Sequence, residues 1–115
     1  VHPDDVQRTF TAWLTAQGWD VDEVEGHPVV VAERSGRRLV AAVQGATPDP
    51  ETALDTLWGS LLRLMADDEL VRYALVVPEG GPVFAAFRVQ PEIRYALGVS
   101  VYGVGADGTV TLHED

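Results

Sequence analysis

The stretch His27-Pro28-Val29-Val30-Val31-Ala32-Glu33-Arg34-Ser35-Gly36-Arg37-Arg38-Leu39-Val40-Ala41-Ala42-Val43-Gln44-Gly45 decides the fold. Two apolar runs, Val29–Ala32 and Leu39–Val43, flank the polar group Arg34-Ser35-Gly36-Arg37. That pattern predicts a β-hairpin with a short turn. The apolar residues are consecutive rather than alternate. Both faces of each strand therefore need cover, which places the pair in the middle of a sheet.

Upstream, Val6, Phe10, Trp13 and Leu14 recur at helical spacing after Pro3-Asp4-Asp5. Gly18 fits the position that closes a helix. Trp19 and Val21 alternate with Asp20 and Asp22, as in a half-buried strand. Downstream of the hairpin, Gly45-Ala46-Thr47-Pro48 reads as a loop. Asp49-Pro50-Glu51 then supplies an N-cap, a proline at the first helical position and an acid in the first turn. Leu54, Leu57, Trp58, Leu61, Leu62 and Met65 form one broad apolar face, up to the polar run Asp67-Asp68-Glu69. Arg72–Val77 reads as another buried strand, closed by Pro78-Glu79-Gly80-Gly81-Pro82. Residues 83–97 are mixed in signal: Phe84, Phe87, Ile93 and Leu97 suit a helix, and Pro91 interrupts it. Val99–Val104 and Thr109–Leu112 form a closing hairpin around Asp107-Gly108. The predicted order is α-β-β-β-α-β-α-β-β, an α/β domain with one mixed sheet and helices on both faces.

The chain has 115 residues, and no repeat or internal linker divides it, so a single domain over residues 1–115 is expected. It contains no lysine: all eight basic residues are arginine, against 18 Asp+Glu, for a net charge of −10. Nucleic acids draw affinity from cations on their phosphates, so this balance argues against DNA or RNA as partner. It argues equally against anionic membranes. The absence of cysteine removes disulfides, thiolate chemistry and Cys-ligated metals, and cytoplasm is the expected compartment. No signal peptide and no apolar run of membrane-spanning length is found. The arginine-only, Ala/Val/Gly/Asp-rich usage suggests a GC-rich bacterial genome.

The element order, with a hairpin feeding a helix, resembles the restriction-endonuclease-like fold of the P-D…(D/E)-x-K nuclease superfamily. Gly18-Trp19 resembles the step from the first helix to the first strand. His27–Arg34 looks like the strand that carries Pro-Asp, and Arg38–Gly45 like the strand that carries Glu-x-Lys-Gly. The helix from Pro50 and the strand Tyr73–Pro78 extend the likeness over roughly residues 5–112. The resemblance implies two carboxylates that hold Mg²⁺ or Mn²⁺ and a lysine that activates water. In this chain those positions are Val29, Ala42 and Gln44. Val and Ala offer no ligand atoms. The standard site is therefore lost, although some nucleases of this fold use Gln in place of the lysine. In some members the second acid migrates to the following helix, which makes Glu51 and Asp55, with Glu33 on the hairpin, the candidates for a displaced site. Each also has a plain reading: Glu51 complements the helix dipole, Asp55 is a solvated helix residue and Glu33 faces water beside an arginine.

Other candidates carry weaker signals. Asp20, Asp22, Glu23 and Glu25 form the densest acidic cluster, but Glu25 stands where a calcium loop needs glycine. His27 has no second ligand at a metal-binding spacing, and His2 and His113 near the ends read as incidental. None of Ser35, Ser60 and Ser100 lies in a nucleophile elbow. Gly80-Gly81 and Gly103-x-Gly105 read as turn glycines; without lysine neither builds a phosphate loop. Arg34, Arg37 and Arg38 make the best basic patch, and also read as charges that guard a hairpin edge. Trp13, Trp19 and Trp58 are expected to face the core.

These readings predict a non-catalytic, pseudo-nuclease interaction or regulatory domain, with no cofactor. Its expected partner is a protein or a second copy of itself, as in a homodimer formed through a sheet edge or helix face. Two alternatives stand beside it. One is a divergent Mg-dependent nuclease with migrated acids. The other is a small acidic secretion-chaperone-like adaptor.

Overall fold

The turn that organises the sheet is formed by Ser35 and Gly36, whose φ angles are +52° and +79°. Two consecutive positive values fit the type I′ turn, whose twist matches that of the strands it joins. In the computed structural model, which describes residues 3–23, 29–44, 49–65, 71–80, 86 and 89–113, this turn links β2 (Val29–Arg34) to β3 (Arg37–Val43). Ahead of them lie helix α1 (Pro3–Ala16) and strand β1 (Asp20–Glu23). After them come α2 (Pro50–Leu64), β4 (Val71–Pro78), α3 (Pro91–Leu97), β5 (Val99–Val104) and β6 (Val110–His113). The order of elements is the one the sequence predicts.

The six strands form one sheet in chain order, β1 through β6. The pairs β1–β2, β2–β3 and β5–β6 are antiparallel, and β3–β4 and β4–β5 are parallel. The parallel steps are where the chain must cross over the sheet, and α2 and α3 fill them. The consecutive apolar residues of β3 and β4 are buried on both faces, which makes these strands the centre.

Two apolar layers sandwich the sheet. On one face Val6, Phe10 and Leu14 of α1 pack on Val30, Ala32, Leu39, Ala41, Ala74, Val76 and Val104. On the other, Leu54, Leu57 and Leu61 of α2 pack on Val40, Ala42, Tyr73, Leu75, Val77, Val99 and Val101. Gly18, at φ +91°, ends α1 in the left-handed conformation. Asp49 caps α2, its Oδ1 accepting a hydrogen bond from the Thr52 amide at 3.3 Å, and Pro50 occupies the first turn.

One local expectation is corrected, at Gly103. Pro91 interrupts the stretch as expected: Ala86 is helical, 89–90 are not, and a new helix starts at Pro91, whose missing amide hydrogen is not needed in the first turn. Gly103 lies inside β5 rather than in a turn. A side chain there would meet the tips of Glu79 and His113 and would have to push that pair aside. The three tryptophans face the core as expected, half-buried at the borders of the two layers. Residues Glu25 and His27, the loop 45–48, the run 67–69, Gly81 and the aromatics Phe84 and Phe87 lie outside the described residues.

Candidate functional site

The hairpin register brings together Val29 and Ala42, the two positions at which the nuclease resemblance expects acids. Val29 and Ala42 are direct cross-strand partners, so both project from the face that carries α2. Carboxylates at this pair would converge. The residues present are apolar instead: Ala42 is fully buried in the core layer and Val29 packs at its margin.

Gln44 lies just beyond β3. By strand alternation it shares the face of Ala42. Its backbone amide donates to the Val76 carbonyl at 2.8 Å, which extends the parallel ladder by one rung. Its side chain is only 7% exposed. Neither Oε1 nor Nε2 has a hydrogen-bond partner among the described residues. A buried amide without partners costs roughly 1–3 kcal/mol of desolvation per group. Gln44→Met keeps the length of the chain and removes the polar atoms. We expect this variant to be more stable by about 1–3 kcal/mol, read as a higher urea midpoint at unchanged slope. A loss of stability would mean that the amide is hydrogen-bonded in solution.

Of the displaced-acid candidates, Asp55 and Glu33 are exposed, whereas Gln44 is buried. Asp55 is exposed, while its neighbours Leu54 and Leu57 point into the core. Glu51 lies in the first turn of α2, and its side chain is outside the described residues. Glu33 is four residues along β2 from Val29, a separation of roughly 13 Å. Its Oε1 accepts from Arg38 Nη2 at 2.9 Å and Nε at 3.2 Å. Among the described residues, Val29, Ala42 and Gln44 together offer a single side-chain oxygen, whereas Mg²⁺ or Mn²⁺ needs several hard oxygen ligands on one ion. Among the described residues no group of three or more His, Asp or Glu side chains could hold a metal.

The three hairpin arginines are divided between faces. Arg38 pairs with Glu33 on the α2 side. Arg34 turns to the α1 side, where its Nη1 donates to the Gln17 carbonyl at 2.9 Å and its guanidinium lies 4.9 Å from the Trp19 ring. This contact pins the end of α1 to the hairpin by a charge-assisted hydrogen bond and a cation–π contact. Arg37, opposite Arg34 in the register, is exposed.

Two further features join sequence candidates to one another or to new partners. One is an open groove of about 500 Å³ on β1–β3, lined by Asp20, Val21, Asp22, Val31, Glu33 and Arg38. The other is a hydrogen bond between His113 Nε2 and Glu79 Oε1 at 2.8 Å, which crosses the sheet above Gly103. His113 is thus a bonded residue rather than an incidental one. Its partner lies 34 residues away, and the hydrogen at Gly103 leaves room for the pair. Ser35 lies in the hairpin turn, Ser60 on α2 and Ser100 on β5, so no serine joins a nucleophile site.

No protein-family model matches this sequence. No curated protein matches it either. The fold is similar to the solved structure of an fdxN element excision controlling factor protein from Anabaena variabilis, with a TM-score of 0.67 and 17% identity. The superposition covers 94% of this chain and 96% of that one. At this identity the likeness concerns the fold alone. No helix among the described residues is long and apolar enough to cross a membrane.

Proposed function

We propose that this chain is a non-catalytic, pseudo-nuclease domain with an interaction or regulatory role, built on a restriction-endonuclease-like sheet. The observation that carries the reading is the Val29–Ala42 pair. The hairpin juxtaposes the two positions where such a nuclease holds its metal, and both serve as packing. A sheet that keeps its architecture after losing its ligands acts by binding. Its partner is a protein or a second copy of this chain, since the charge of −10 disfavours polyanions. The structural neighbour is named a controlling factor, which accords with a regulatory rather than a hydrolytic role.

The test is calorimetric titration with Mn²⁺ of the wild type and of Glu51→Gln. We expect no saturable heat from either protein. Saturable binding that disappears in Glu51→Gln would overturn the reading and establish the divergent nuclease with a migrated acid.

A further inference from the structure

Helix cover over the sheet is uneven. On the face opposite α1, α2 packs on β3 and β4 and α3 packs on β5. The same face of β1 and β2 lies outside the cover provided by the described helices, and the groove of about 500 Å³ opens there. Its floor is Val31, half-buried. Its walls carry three carboxylates, Asp20, Asp22 and Glu33, against one guanidinium, Arg38. Glu33 already holds that guanidinium.

The register fixes the geometry of the acids. Asp22 stands opposite Val31 and Asp20 opposite Glu33, so all four point to the open face. Asp20 and Asp22 are two residues apart on one strand, a spacing of roughly 7 Å. The carboxylates therefore form a row beside an apolar floor. An extended segment with cations at alternate positions presents them on one side at the same spacing. A second copy of this chain, at −10, is repelled by this surface, as is a nucleic acid.

We propose that this groove is a docking site for an extended basic segment of a protein partner, with Arg or Lys at every second residue and apolar residues between. The proposal rests on the interaction-domain reading above and names the surface and the partner chemistry for it. The row Asp20–Asp22 takes the charged heads of the cations, and Val31 takes their aliphatic stems. Arg38 competes with the incoming cations for Glu33.

The experiment uses a fluorescein-labelled octapeptide of alternating arginine and valine, with anisotropy read at roughly 0.15 M salt, where distant charges are screened. We expect saturable binding to the wild type. Asp20→Asn combined with Asp22→Asn should weaken it by roughly five- to tenfold, the scale of two exposed ion pairs. Glu92→Gln combined with Asp107→Asn removes the same charge from exposed positions at the other end of the sheet and should change affinity by less than about twofold. Arg38→Gln, which releases Glu33, should tighten binding by about two- to threefold. Equal weakening by both double variants, or anisotropy that does not saturate, would overturn the proposal. The Mn²⁺ titration on the same preparations separates the two ideas. A silent titration with a silent peptide removes the groove and leaves the interaction domain, whereas metal binding removes the parent reading.

Discussion

Ala42→Glu, which would place an acid where the nuclease resemblance expects one, is expected to destabilise the protein by about 3–5 kcal/mol at pH 7, the scale of an uncompensated buried charge. Ala42 has no exposed surface. It lies between Val29 of β2 and Leu75 of β4 in the register and beneath Leu54 and Leu57 of α2. A glutamate there must displace packed side chains and desolvate its carboxylate. Desolvation favours the neutral acid, so the folded-state pKa of the new group would lie above its unfolded value. The folded form then binds the extra proton, and the penalty should shrink as pH falls from 7 toward 5. Urea unfolding followed by tryptophan fluorescence at the two pH values measures both effects. Wild-type stability at pH 7 would mean that water reaches this position and that an acid can be placed there at little cost.

Phe10→Ala should cost about 3–5 kcal/mol, the range for a fully buried aromatic side chain. Phe10 is the largest fully buried side chain of α1 and has no exposed surface. Its ring centroid lies 5.9 Å from that of Trp13 and 5.3 Å from that of Tyr102, and Trp13 and Tyr102 are 5.6 Å apart. The three rings join α1 to β5, and burial raises the pKa of the Tyr102 phenol above its ordinary value. The deletion leaves a cavity between helix and sheet that two half-buried rings can only partly fill. The check is the urea midpoint together with the near-ultraviolet dichroism of the ring cluster. A loss below about 1.5 kcal/mol, far short of the range for such a deletion, would mean that α1 is not firmly docked.

The strands were legible because their signals are local. Val29–Ala32 and Leu39–Val43 declare buried strands through consecutive apolar residues, and Arg34-Ser35-Gly36-Arg37 declares the turn. Asp49-Pro50-Glu51 likewise marks the start of α2. Pro91 was harder, because proline interrupts a helix and also begins one, and its neighbours do not separate the two roles. Gly103 was misread for another reason. Its neighbours are Glu79 and His113, which only the sheet brings beside it. The candidate site divides in the same way. Val29 and Ala42 could be placed on paired strands from the hairpin signal, and their register follows from a two-residue turn. The lack of partners around the Gln44 amide could not be placed, since it depends on side chains packed from α2 and β4. Nor could the groove, because it arises from what the helices leave uncovered.

Strand order that follows chain order has a consequence for synthesis. Each strand pairs with the one made just before it, so the sheet can grow by addition as the chain leaves the ribosome, without waiting for a distant partner. Helix α1 is the exception. It precedes the strands, and it packs on β1 and β2 as well as on β4, β5 and β6. Its apolar stripe of Val6, Phe10 and Leu14 can meet β1 and β2 early, but its cover is complete only when β4 to β6 have emerged. The helix that comes before the sheet completes its seat only after all six strands are made.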